Sequence, residues 1–302
     1  MSKPLIRHLL KVYHPLPRFP PLSLSGTHCE LNCRHCNRVY LTSMRPAQTA
    51  EALLNICRQL QQGGAVGALI SGGSGRDGRL LNLAAMIPAL QRVRAETGLI
   101  LNLHPGLTNA ATAASLRDAV DFASLDVPSA EALQHVLGLD ATPEMYLNTY
   151  RHLWAAGIPV APHVTVFDGT EASLLEPLTA PHGGVPPEVV VVIVFTPTRG
   201  TAMANVTPPS SEAVGRVVAG LKALFPVSEI SLGCMRPRGR GLHLAIEQAA
   251  LEAGVTRMEL PTRKTLELAV ARSYTIEHFD ACCALPAAFE PRARRLTPQP
   301  LC

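Results

Sequence analysis

Val189-Val-Val-Val-Ile-Val-Phe195 is an unbroken apolar run in which every residue but the last is β-branched. So short a run, apolar on both faces, suits a strand packed inside a parallel sheet and covered by helices. Working outward, strand-like runs recur at 21–26, 66–71, 99–104, 120–125, 158–166, 229–233 and 256–260. Segments of helical period lie between them at 49–62, 81–97, 143–156, 210–224 and 242–253. Gly157 and Gly254 follow two of these segments and read as helix C-caps. This alternation predicts an α/β chain folded as a (β/α)8 TIM-type barrel, with an open doubly wound sheet as the second choice. Residues 1–20 read as an N-terminal extension, 21–275 as the barrel, and 276–302 as a C-terminal tail that carries cysteines.

The chain has 302 residues, of which 47% are hydrophobic and 17% charged, with a formal net charge of +4. No apolar run approaches the roughly 20 residues of a membrane span. The first residues lack the apolar core of a signal peptide, so a cytoplasmic protein acting on neither membrane nor nucleic acid is expected. The arginine patches 236–240 and 292–295 read as solvated surface. Eight cysteines in such a chain favour metal or redox chemistry over a disulfide framework.

Those cysteines give the sharpest signal. Cys29-Glu-Leu-Asn-Cys33-Arg-His-Cys36 has C-x3-C-x2-C spacing and directly follows the first predicted strand. Barrel active sites lie in the loops after strands. Three convergent thiolates suit a 4Fe-4S cluster with one iron left open, which could chelate the amino and carboxylate groups of S-adenosylmethionine. The plainer alternative is a structural zinc knot with His35 or a distant fourth ligand, but zinc sites more often pair C-x2-C units, and no second such unit is present. Cys57 falls on a helical pattern and reads as core.

With this motif the chain resembles the radical S-adenosylmethionine superfamily. His35 holds the place before the last cysteine where that superfamily has an aromatic or similar residue. Ser71-Gly72-Gly73-Ser74 stands where it commonly has Gly-Gly-Glu, so backbone contact to the cosubstrate's amino group is implied, and Ser74 replaces the usual acid. Polar residues at other strand ends, Asn102, His104, Asp126, His163, Thr196 and Arg199, suit ligand contacts at a barrel mouth. By the same resemblance Asn102, His104, Asp126 and Arg199 would help to hold the cosubstrate.

A third set, Cys234, Cys282 and Cys283, would hold an auxiliary iron–sulfur cluster if the tail folds back, with Cys302 or a non-cysteine group as a further ligand. Adjacent cysteines bond each other only with strain, which favours a shared metal or separate partners. The segments 26–33, 71–74, 136–142, 195–201, 232–239 and 282–283 together resemble the biotin-synthase-related group, which includes one subunit of the two-protein, archaeal-type lipoyl synthase. The resemblance implies insertion of one sulfur into an octanoyl chain on a lipoyl-carrier protein. It also implies a second radical protein as partner and a reductant such as ferredoxin or flavodoxin. Two other readings stay open: a radical enzyme of another cofactor pathway, and a zinc or redox-sensing binding module.

Overall fold

The structure is a computed structural model that describes residues 8–239 and 241–295. Its strands are β1 (Leu9–Tyr13), β2 (Pro21–Ser23), β3 (Arg45–Pro46), β4 (Gly67–Ser71), β5 (Ile100–Leu103), β6 (Phe122–Asp126), β7 (Val160–Val166), β8 (Val189–Val194), β9 (Glu229–Leu232), β10 (Arg257–Glu259) and β11 (Thr275–Phe279). They form one parallel sheet in the order β11-β1-β10-β9-β8-β7-β6-β5-β4-β2-β3. The eight-stranded closed barrel is thereby corrected. The sheet has 11 strands and curls as a half-barrel, and among the described residues no ladder joins β11 to β3.

Every run expected as a strand is one. The three added strands explain the difference. β1 lies in the expected N-terminal extension and pairs with both β10 and β11, so this segment contributes to the sheet. β11 crosses the expected boundary at residue 275, and β3 is only two residues long. None of the three carries a long β-branched run, so each takes its conformation from its neighbours.

Helices cover the outer face: α1 (Ala50–Gln62), α2 (Leu83–Glu96), α3 (Ala110–Leu116), α4 (Pro143–Ala155), α5 (Ser211–Leu224), α6 (Leu242–Ala253) and α7 (Arg263–Ala271). Several begin on a side-chain cap. Thr49 accepts a hydrogen bond from Ala52 N at 3.2 Å, and Ser210 accepts one from Ala213 N at 3.3 Å. Gly157 and Gly254 take left-handed φ values of 80° and 100° just beyond α4 and α6, as their sequence positions imply.

The doubly apolar β8 shows how the molecule is layered. Val190, Val192 and Val194 belong to the outer core beneath the helices. Val189 and Val191 belong to a separate inner core with Tyr13, Ile100 and Phe122. The tail completes that inner core with Phe279, Ala281, Cys283, Ala284 and Leu285. The concave face of the sheet is thus filled by the chain's own C-terminal segment, and not only by strand side chains.

A buried ionic knot fastens the tail. Glu290, on the short helix α8 (Glu290–Ala293), accepts hydrogen bonds from Tyr13 Oη at 2.8 Å and Lys11 Nζ at 2.9 Å. Fully buried Arg257 pairs with Glu290 at 2.9 Å and also with Glu229, and donates to the Cys283 carbonyl at 3.4 Å. Burial of an arginine on this scale requires such full pairing. The arginine patches are likewise not simply surface. Arg236 is 3% exposed and pairs with Glu247 at 2.8 Å, while Arg294 and Arg295 pair with Glu277 and Asp280. Arg240 lies outside the described residues.

Candidate functional site

Parallel strands all deliver their C-terminal loops to one rim, and the Cys29–Cys36 segment is the loop after β2. Hydrogen bonds lace it to the turn after β4. Ser25 Oγ donates to His28 O at 2.7 Å and accepts from Gly73 N at 2.8 Å. Glu30 N donates to Ser74 O at 2.9 Å, and Ser74 N donates to the Cys29 sulfur at 3.3 Å. Gly73 is required by this contact: a Cβ there would lie 2.0 Å from His28 O and 2.6 Å from Cys29 Cα. The glycine therefore serves close backbone approach.

Cys29, Cys33 and Cys36 line one cavity of about 290 Å³ together with Ser71, Gly72, Gly73 and Ser74. His35, His104, Ser124 and Asp126 complete its polar wall. Cavities for small ligands begin at roughly this size. Burial pushes the Cys33 thiol up to about 12, aided by Cys36 and Cys29 nearby, and burial raises Cys36 as well. Among the described residues no three His, Cys, Asp or Glu side chains stand ready-made around a metal ion. The three thiols nonetheless share a wall, and their donor chemistry is that of an iron–sulfur site with an adjoining ligand cavity.

Burial lowers the pKa of His35 and His104 against the opposing pull of Asp126. His163, edge-on to His104 at 5.2 Å between ring centroids, is pushed down to about 4 by burial and by His104. His35 Nδ1 is buried with no hydrogen-bond partner, an acceptor or donor left available on the cavity wall.

Two expected contacts fall elsewhere. Arg199 is exposed in the loop after β8, and neither it nor Asn102 is part of this cavity's wall. Asn102 sits one layer deeper and fully buried. Its Nδ2 donates to Ser124 Oγ at 3.0 Å and lies 3.6 Å from the Cys282 sulfur, while its Oδ1 has no partner.

Asn102 thus leads into a second cysteine group. The tail places Cys282 and Cys283 against the inner face, where Cys234 approaches from the loop after β9. Cys234 is exposed, yet its thiol is pushed up to about 12 by the protein around it and by Cys283. Leu69 and Ile193, both partly exposed, pack against the same inner core as Cys282. Cys302 lies outside the described residues. Cys57 is fully buried in the outer core, as its helical position predicts.

Sequence reasoning missed Ser25 and Ser124. Ser124 carried the signal already used for Asp126, a polar residue of inward parity near a strand end. Ser25 carried none, because its role exists only once β4 lies beside the loop.

No family model and no curated protein matches the sequence. Solved structures match the fold. The FeFe-hydrogenase maturase HydG of Carboxydothermus hydrogenoformans aligns with a TM-score of 0.62 and 16% identity, over 94% of this chain and 70% of that one. Methylornithine synthase (PylB) aligns at 0.57 and 20% identity, over 84% and 72% of the two chains. SuiB of Streptococcus suis bound to S-adenosylmethionine aligns at 0.52 and 13% identity, over 90% and 58%. At these identities the likeness shows a shared fold alone.

Proposed function

We propose that this chain is a radical S-adenosylmethionine enzyme that inserts one sulfur into a protein-bound octanoyl chain, working with a second radical protein in lipoate synthesis. The observation that carries the first half is the shared cavity. The three thiols of Cys29, Cys33 and Cys36 meet the Ser71-Gly72-Gly73-Ser74 turn there, and hydrogen bonds hold the two segments in register. The fold-mate SuiB was solved with S-adenosylmethionine, which supports the same ligand here. A 4Fe-4S cluster at the three thiols would supply the electron that cleaves the sulfonium C–S bond, with electrons delivered by ferredoxin or flavodoxin.

This chain's residues would position and shield. Backbone at Gly72 and Gly73 would receive the cosubstrate's amino group, and His104 and Asp126 would contact it from the opposite wall. Cys282 and Cys283 on the inner core, where Leu69 and Ile193 also pack, together with Cys234 in the loop after β9, support the other half of the reading. Three thiols would retain an auxiliary iron–sulfur cluster as sulfur source, and apolar walls suit an uncharged acyl chain.

The test is anaerobic reconstitution with iron and sulfide, followed by reduction in the presence of S-adenosylmethionine. Release of 5′-deoxyadenosine is expected, and its absence overturns the radical reading. Addition of octanoylated carrier protein and the partner enzyme should give a product heavier by one sulfur. Deoxyadenosine release with an unchanged carrier mass would assign the chain to another cofactor pathway. Zinc in place of iron in the anaerobic protein would favour a binding module.

A further inference from the structure

The Cys29–Cys36 loop has two faces. Cys29, Leu31, Cys33, His35 and Cys36 line the interior cavity. Asn32, Cys33, Arg34 and Asn37, with Ala202, line a small pit on the outer surface. Cys33 is common to both and is 8% exposed, so it stands between the cavity and the protein's exterior. The pit holds only about 150 Å³, below the roughly 300 Å³ at which small-ligand sites begin. It offers surface contact beside a loop cysteine, not a berth for a small molecule.

Hydrogen bonds fix this surface and bring a second loop to it. Asn37 Nδ2 donates to Gly200 O at 3.2 Å, and Met203 N donates to Arg34 O at 3.2 Å. Tyr40 Oη and Thr198 Oγ1 share a hydrogen bond of 2.6 Å. Asn37 and Arg38 take left-handed φ values of 41° and 65°, a turn that persists only where its surroundings hold it. Arg199 precedes Gly200 and so lies beside the pit.

Arg34, Arg38 and Arg199 are all exposed, and among the described residues none of them pairs with a carboxylate. Arg34 Nη1 reaches the His135 carbonyl at 3.3 Å. Glu30, the loop's own acid, is taken up by Arg76 N at 3.1 Å. Elsewhere the exposed Arg58, Arg92, Arg151 and Arg263 each pair with an acid. Uncompensated guanidinium groups on a fixed surface give a positive field that speeds encounter with acidic partners.

The geometry points to this face as the docking surface for an acidic one-electron carrier protein, which approaches the loop at Cys33. The inference rests on the reading that the three loop cysteines hold an iron–sulfur cluster. The carrier gives up one electron and the centre gains one, with no bond made or broken. The octanoylated carrier protein suits this face less well, because its acyl chain must enter the cavity and the pit lies on the other side of the loop.

The test uses the full chain after anaerobic reconstitution, with purified flavodoxin as the probe. Wild-type protein should bind flavodoxin at low salt, and binding should weaken as ionic strength rises. Arg34→Glu/Arg199→Glu should weaken it at least about tenfold, and Arg199→Glu alone about threefold, because charges at an interface rim act on association. The double variant should slow reduction by flavodoxin in proportion, followed as bleaching of the visible band. Reduction by photoreduced 5-deazariboflavin, a small uncharged reductant, should stay within about twofold of wild type, since steering acts on charged partners. Arg272→Glu, at the end of α7, should leave flavodoxin binding within about twofold. Equal flavodoxin binding by the double variant and wild type would overturn the docking face. A matching loss with the deazaflavin would also overturn it and make the arginines supports of the loop. A larger loss of binding for the octanoylated carrier than for flavodoxin would overturn it in favour of that partner. A chain that takes up no iron, recognised by the missing visible band, would remove the cluster reading and this inference with it.

Discussion

The two cysteine groups are built in opposite ways. Cys29, Cys33 and Cys36 come from one loop, and neighbouring backbone at Gly73 and Ser74 only locks that loop in place. Cys234, Cys282 and Cys283 come from segments far apart in sequence and meet only because the tail fills the concave face of the sheet. A local motif survives partial unfolding of its surroundings, whereas a site assembled by tertiary packing depends on whatever fastens the packing. The first group should therefore be robust and the second conditional.

The sharpest break of that comparison uses cysteine variants. Replacing Cys29, Cys33 and Cys36 by alanine should abolish 5′-deoxyadenosine release to background, a loss of at least about a thousandfold by the usual standard of removed catalytic machinery. Cys283→Ala should leave deoxyadenosine release within about threefold while eliminating any thiolated product. Chromatographic assay of both products checks this, and parallel losses in both variants would show that the two groups act as one site.

Stability comes next. Arg257 holds Glu229, Glu290 and the Cys283 carbonyl from the centre of the knot. Arg257→Ala should cost about 3–5 kcal/mol, because it strands buried carboxylates. It should also make Cys282 and Cys283 react faster with a thiol reagent while the reactivity of Cys29 stays the same. Chemical denaturation and mass-resolved labelling would measure the two effects, and equal acceleration at both groups would erase the distinction drawn above.

The smallest effect concerns the imidazoles between the groups. His163 is held down to about 4 in the folded chain, against about 6.5 when unfolded. Between these values the unfolded chain binds more protons, so stability is fully present above about pH 6.5, declines as pH falls, and levels off below about 4. The swing is on the order of 3 kcal/mol. His163→Gln should flatten that slope in the metal-free protein, read from denaturation midpoints across the interval.

Much of this was legible in the chain. The run at 189–195 became a strand because β-branched residues without turn signals have few other uses. The spacing of Cys29, Cys33 and Cys36 marked a loop site that the structure joins to Gly72 and Gly73. Strand β1 was not legible: Leu9–Tyr13 is too short to announce itself and owes its place to the edges of β10 and β11. Asn102 faces inward as read but lies deeper than the cavity wall, since parity along a strand gives direction and says nothing of depth. Arg236 looked like surface charge because its partners Glu247 and the Glu259 carbonyl reach it only through the fold.

By itself the sequence determined the parallel α/β character and the first cysteine loop, because periodicity and spacing act over a few residues and need no partner. Tertiary structure alone decided that, among the described residues, the sheet has 11 strands and stays open, and that the segment carrying Cys282 and Cys283 packs on its inner face. Contacts of that range are chosen by the packing of whole surfaces, and no short stretch of sequence encodes which distant stretch will cover it.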